Sequence, residues 1–424
     1  MSPRPDAPAA VRWITRTLEE AGHETWAVGG AVRDALLGRP SGDWDLTTRA
    51  SPTEMRRLFR RTVPIGIEHG TVGILDREGV LYEVTTFRKD VETDGRHAVV
   101  EFADRVEDDL ARRDFTINAI AWHPLREEFL DPFDGEGDLR RRVLRTVGEP
   151  TDRFREDYLR ILRALRFAGR FGLRIDEATW SAIRQLVDGL TTLSPERIRE
   201  ELLKVLGADP RPSEALSLYA DSGALAVLYP EVDSWRASSD DWDRRLSAVD
   251  SLPAGRPEAR LGALLHGLPE SDVAALLVRL RLSNRQADDV AHLASGAPLP
   301  PPDAEDEAYR RWLSRHGPER LHALARLELA RARGGGADPS DVVGSWRRAK
   351  AVLRRRPPLA VGDLALDGRD LIGMGLRPGP HFGDILDALL DWVLEDPGRN
   401  EAGALEARAS EMADRVGQGE RRGG

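Results

Sequence analysis

The strongest constraint on the fold is a change of period near Arg153. Upstream, short β-type runs alternate with helical ones, and downstream the chain reads as helix after helix. That division calls for an α+β head followed by an all-α remainder. In the head, AAVRWITRTLEEA (Ala9 to Ala21) has helical spacing, and ETWAV (Glu24 to Val28) reads as a buried strand ending in Gly29 and Gly30. A helix is expected to begin at once with AVRDALL and to stop at Gly38. The run DWDL comes next, then the helix SPTEMRRLFRR with Ser51 as cap and Pro52 in its first turn. GTVGIL and VLYEVTTF flank Asp76 to Gly79, which reads as a hairpin connection.

Beyond Arg153 the amphipathic runs EDYLRILRALRFAGRF, EATWSAIRQLVDGL, PERIREELLKVLG and SEALSLYADSGAL follow one another. Breaks are expected at Ser251 to Pro257, Ala297 to Asp303 and Gly334 to Pro339, each too rich in Pro or Gly for a helix interior. The closing GQGERRGG is expected to fray.

Composition narrows the chemistry. The 62 Lys and Arg stand against 72 Asp and Glu, a net charge of −10, so a nucleic-acid partner has to be held by local basic patches. With no cysteine there is no disulfide framework, thiolate nucleophile or Cys-ligated metal. No apolar run approaches membrane-spanning length, and MSPRPDAPAA lacks the blocks of a signal peptide, so a soluble cytoplasmic protein is expected.

Asp43 and Asp45 are two apart, and period two puts both carboxylates on one face of a strand. Glu83, alternating with Tyr82 and Val84, can supply a third. Carboxylates this close repel, and a divalent cation relieves the repulsion. Upstream, Gly29 and Gly30 lead into a helix whose first turn carries Arg33. Glycines let backbone N–H groups approach phosphate oxygens, and a guanidinium adds a fork of donors, so these residues form a candidate triphosphate cradle.

VGGAVRDALLGRPSGDWDLTT resembles the signature of the nucleotidyltransferase superfamily that includes class II CCA-adding enzymes and bacterial poly(A) polymerases. EVTTFR, EDDLARRDFTINAIA, DPFDGEGDLRRRVLRTVG, EDYLRILRALRF and SPERIREELLKVL resemble later motifs of the same family, in the family order. The stretch DLIGMGLRPGPHFGDILDALLDWVLEDPGRN is similar to its tail segment. The resemblance implies a mixed-sheet nucleotidyltransferase head (residues 1–152), then an all-α neck (153–222), body (223–335) and tail (336–424). It further implies that Gly30 and Arg33 bind the triphosphate, that Asp43 and Asp45 hold Mg²⁺, and that Arg113 contacts the nucleotide. Asp157, Arg160, Arg163 and Arg166 match the nucleotide-selecting motif, and Glu83 matches EVTTFR as a further catalytic carboxylate.

A spacing of three makes Asp157, Arg160 and Arg163 neighbours on one helix surface, a carboxylate fixed beside an arginine. An acceptor beside a donor suits cytosine and adenine, which offer an amine beside a ring acceptor, and it refuses uracil and guanine. The implied activity is addition of the 3′ CCA of tRNA from CTP and ATP. Rivals are A-only or CC-only addition, poly(A) polymerisation, and an inactive RNA-binding relative. The run KDVETDGRHAVVEFADRVEDDLA falls where the family has a flexible loop that switches C to A addition, and it is slightly short. RRAKAVLRRRPP, a cluster of positive charge between Arg347 and Pro358, is a candidate contact for tRNA phosphates.

Overall fold

One seven-stranded mixed sheet positions the site, with strand order β3-β4-β5-β2-β1-β8-β9. Its centre is β1 (Thr25–Val28), whose four residues are all buried. β1 pairs antiparallel with β2 (Asp45–Thr48), with Val28 opposite Asp45. β2 runs parallel to β5 (Leu81–Thr86), with Leu46 opposite Val84. β3 (Thr62–Gly66) and β4 (Thr71–Leu75) complete one side of the sheet, and β8 (Ala121–His123) and β9 (Glu128–Leu130) the other. The computed structural model describes residues 5–40, 42–93, 98–207, 211–236, 242–334, 338–376, 378–379 and 381–420.

Local chemistry explains the boundaries. The helix α1 (Ala9–Glu20) precedes β1, and α2 (Gly30–Leu36) follows it. Helix α3 (Pro52–Leu58) opens with the expected cap: the Ser51 hydroxyl accepts from the Glu54 N–H, and the Glu54 carboxylate accepts from the Ser51 N–H. A reciprocal cap of this kind contributes about 1 kcal/mol. The turn between β4 and β5 is tied by Asp76 Oδ1, which accepts from the N–H groups of Glu78 and Val80, while Gly79 takes φ +87°. Trp26, Val28, Phe87, Val106, Leu110 and Ala121 form the core beneath the sheet. The segment expected as a flexible loop contains a hairpin of β6 (Arg88–Thr93) and β7 (Ala98–Phe102), then α4 (Val106–Ala111); its turn, residues 94–97, lies outside the described residues.

The sheet gives way to α5 (Gly135–Arg141), α6 (Pro150–Glu156), α7 (Leu159–Phe171), α8 (Glu177–Leu186), α9 (Pro195–Gly207) and α10 (Pro212–Ser222). Gly169 lets α7 and α10 touch, because a Cβ there would sit 2.5 Å from the Ala215 nitrogen. Head and these helices make up one compact unit, Met1–Ala237, and a second unit is Ser238–Gly424. The second unit is helical among the described residues, with breaks at 252–256 and 296–305 where Pro and Gly are dense. The expected break from Gly334 to Pro339 falls largely on residues 335–337, outside the described set. Near the C-terminus, Leu371, Ile385, Leu389, Val393 and Leu405 form an apolar core of their own. Of the closing GQGERRGG, residues 417–420 end the last helix, Ala402–Glu420, and residues 421–424 lie outside the described set. Among the described residues no helix is long and apolar enough to cross a membrane.

Candidate active site

A cavity of about 630 Å³ opens in the first unit, lined by Gly29, Gly30, Arg33, Asp45, Glu83 and Arg113 on the head side, and by Asp157, Arg160, Arg163 and Arg166 on the helical side. The backbone bend that starts it is specific to glycine. Gly29 takes φ +75°, and a Cβ there would stand 3.1 Å from Arg113 Nη1 and 3.7 Å from Asp45 Oδ2. Diglycine bend and paired-aspartate strand therefore converge.

Asp45 and Glu83 are brought together by the β2–β5 register, one step before the Leu46–Val84 pair. Asp43 lies just upstream of β2. The strand begins only at Asp45, so the period-two expectation does not reach Asp43; Trp44 between the two aspartates is buried, and both aspartates are exposed. Asp43 does not line the cavity; its charge nonetheless reaches Asp45. Crowding by protein atoms, followed by repulsion from Glu83, pushes the Asp45 carboxyl up to about 6, against an opposing pull from Arg113. Its surface remains reachable by solvent. Among the described residues no three acidic or imidazole groups gather closely enough to hold a metal unaided. Two facing carboxylates still fit a magnesium ion, which keeps several waters and completes its shell with substrate phosphates.

Arg33 is buried and already engaged. Its Nε and Nη2 donate to Asp34 Oδ1 at 2.9 and 2.7 Å, and Nη1 donates to Asn118 Oδ1 at 2.6 Å. Burial lowers its pKa despite Asp34. Arg113 donates to Asp109 and to the Asn118 carbonyl, while its Nε is buried with no hydrogen-bond partner.

The helical side differs from expectation at one point. Asp157 is not on the helix with the arginines: it caps α6 in an extended conformation, φ −158° and ψ 105°, before α7 starts. The arginine beside it is Arg197 of α9, whose Nη2 donates to Asp157 Oδ2 at 2.7 Å. Arg160 pairs with Glu156, Arg163 with Asp114, and Arg166 with Glu201. Asp114 and Glu201 are buried, which alone would raise both carboxyls; the facing Arg163 and Arg166 outweigh burial and hold them below the usual range. Asn118 joins the two sides, since its Nδ2 donates to Asp114 Oδ1 at 2.9 Å. Asp114, Asn118, Glu201 and Arg197 were visible in RRDFTINA and SPERIREELLKVL but carried no spacing signal that singled them out.

Residues 25–145 match the Poly A polymerase head domain, and residues 172–236 match the probable RNA and SrmB-binding site of polymerase A. The CCA-adding enzyme of Geobacillus kaustophilus is 39% identical over 392 residues, 92% of this chain and 93% of that protein. The chain belongs to the CCA-adding enzyme family. The crystal structure of the Bacillus stearothermophilus CCA-adding enzyme in complex with CTP superposes with a TM-score of 0.76 at 35% identity, covering 96% of this chain and 98% of that one. The Thermotoga maritima CCA-adding enzyme complexed with tRNA shares the fold, with a TM-score of 0.57 at 23% identity over 96% of this chain and 97% of that one. The α+β fold expected from the change of period is thus the fold of CCA-adding enzymes. Their family is in general dependent on a divalent metal.

Proposed function

We propose that this chain is a template-independent tRNA nucleotidyltransferase that builds or repairs the 3′-terminal CCA from CTP and ATP and releases pyrophosphate. The observation that carries the reading is the opposition of Asp45 and Glu83 to Arg160 and Arg163 across one cavity, with the Gly29 bend between strand and helix. Asp45 and Glu83, with the charge of Asp43 close enough to act on Asp45, would hold magnesium. When bound, that ion polarises the triphosphate and acidifies the attacking 3′ hydroxyl. The chain's own residues do the rest. Gly29 and Gly30 leave room for the triphosphate against the backbone, and Arg113, whose Nη1 lies 3.1 Å from where a Cβ on Gly29 would stand, brings a guanidinium beside it. Arg33, fixed by Asp34 and Asn118, keeps the floor of the cradle positive. Asp157 offers an acceptor and Arg160 donors to the base edge, a pattern that suits cytosine and adenine.

Purified protein with Mg²⁺ is incubated with tRNA lacking CCA, tRNA lacking only the terminal adenosine, and an unrelated RNA, with CTP and ATP supplied separately and together. Addition of two C and one A to the first substrate and one A to the second is the expected result. Extension of the second substrate alone would mean A-only addition, long A tails on the unrelated RNA would mean poly(A) polymerisation, and no incorporation would overturn the reading.

A further inference from the structure

Beside the nucleotide cleft lies a second, smaller hollow of about 190 Å³ against the C-terminal end of α7. Arginines dominate it: Arg39, Arg142, Arg166, Arg170 and Arg211 line it, with Glu214 the acidic residue among its lining. Arg166 is neutralised by Glu201 at 2.6 Å, and Arg211 has Glu214 at 3.6 Å. Among the described residues no carboxylate makes an ion pair with Arg39, Arg142 or Arg170. In a chain carrying ten more acidic than basic residues, three guanidiniums left without counterions around one hollow are not the average of its surface.

Packing, moreover, directs them there. The Phe171 ring carries Arg39 at 4.9 Å and Arg170 at 5.3 Å from its centroid, with Arg33 at 4.5 Å. Cation–π contact fixes where these side chains go without spending their N–H donors. Arg142 reaches the hollow from the left-handed region, φ 53° and ψ 50°, a conformation that glycine or asparagine ordinarily takes. Its Nη1 lies 3.8 Å from where a Cβ on Gly172 would stand. Like charges gathered and oriented in this way are stabilised by an anion, and guanidinium forks match phosphate oxygens in pairs. The volume is below the ~300 Å³ at which pockets for drug-sized ligands begin, a size that suits a phosphate or diphosphate group.

We propose that Arg39, Arg142, Arg170 and Arg211 form a phosphate-binding site adjoining the nucleotide cleft, with which it shares the walls Arg166 and Arg170. Two sources offer that chemistry, the backbone of an RNA substrate and free phosphate or pyrophosphate. The site does not depend on the reading of the cleft, because it is tested by binding alone.

The test uses the full chain and the double variant Arg39→Gln with Arg142→Gly. Glycine relaxes the left-handed backbone as it removes the charge, so the melting temperature is expected to hold or rise. If the pair together lowers it, Arg39→Gln alone, at an exposed position, carries the test. Binding of an RNA hairpin with a single-stranded 3′ end is measured across salt concentrations, and inorganic phosphate and pyrophosphate are titrated calorimetrically without RNA. With RNA as the source, affinity falls several-fold, the slope of log affinity against log salt shrinks by about 1 for each arginine lost, and KM for CTP does not move. With the free anion as the source, the heat of phosphate or pyrophosphate binding falls and RNA binding does not. Equal binding of all three probes by variant and parent overturns the proposal. A parent that binds RNA yet incorporates no nucleotide would instead sink the reading of the cleft and leave this site standing.

Discussion

The two walls of the cleft are built on opposite electrostatic plans. On the helical wall Arg160 has Glu156, Arg163 has Asp114 and Arg166 has Glu201, while Arg170, which also lines the cleft, makes no ion pair among the described residues. On the sheet wall Asp45 faces Glu83 and feels Asp43, with Arg113 alone pulling the other way. One wall is mostly paired within the protein itself, and the other stores repulsion that a cation would release. A surface that must present fixed donors and acceptors to a base gains from rigid, neutralised pairs. A surface that must recruit a metal gains from leaving its carboxylates short of a partner.

The sharpest way to break this contrast is to remove the repulsive wall. Asp45→Ala is expected to lower nucleotide incorporation by ~10³-fold or more, because several kcal/mol of charge stabilisation go with the metal. RNA affinity should change little, since the arginines are untouched. Steady-state incorporation from labelled CTP, beside a filter-binding isotherm, checks both halves. On the neutralised wall the same operation should act on folding. Glu201→Ala strands Arg166, 6% exposed, and is expected to cost the first unit about 3 kcal/mol. Urea unfolding followed by the fluorescence of the first unit's tryptophans measures it. A Glu201→Ala protein as stable as its parent would mean that the arginine wall is not held by its pairs.

The contrast also explains what could be read in the sequence. Period two placed Asp43, Asp45 and Glu83 on one side; the register of β2 and β5 brings Asp45 and Glu83 together, whereas Asp43 lies before the strand and does not line the cavity. Gly29 and Gly30 were legible because a chiral bend between strand and helix leaves a composition mark. The arginine wall was half legible. Spacing of three put Arg160, Arg163 and Arg166 on α7, but their partners come from residues up to 49 positions away, as Asp114 does for Arg163. Asp157 was misplaced because nothing in EDYLR announces that the helix breaks between Glu156 and Leu159. Tertiary pairing with Arg197 holds it in the extended conformation instead.

That break yields a finer prediction. If Asp157 and its neighbours read the base, Asp157→Ala should narrow the preference for CTP over UTP in kcat/KM by ~10- to 100-fold, the loss expected when one paired acceptor goes. Arg197→Ala, which frees the carboxylate without deleting it, should cost only a few-fold, since Arg197 is partly exposed and its pair with Asp157 is screened. Equal losses in the two variants would assign the discrimination to the pair as a unit.

The smallest effect comes from the repulsive wall in the absence of metal. Asp45 titrates at about 6 in the folded chain and near 3.8 when unexposed to its neighbours. A raised carboxyl means that the folded state binds the proton more tightly than the unfolded one. Below about 3.8 the group is protonated in both states and costs nothing; between 3.8 and 6 the cost grows as pH rises; above 6 it is fully present. Asp45→Asn removes the charge and keeps the shape. In a chelating buffer at pH 8 it is therefore expected to melt a few degrees above its parent, with the gap closing as pH falls toward 4. Saturating magnesium should close the same gap from the other side, by stabilising only the parent. A variant that melts below its parent in metal-free buffer at pH 8 would show that the carboxylates of the sheet wall are not in conflict, and the distinction between the two walls would fall with it.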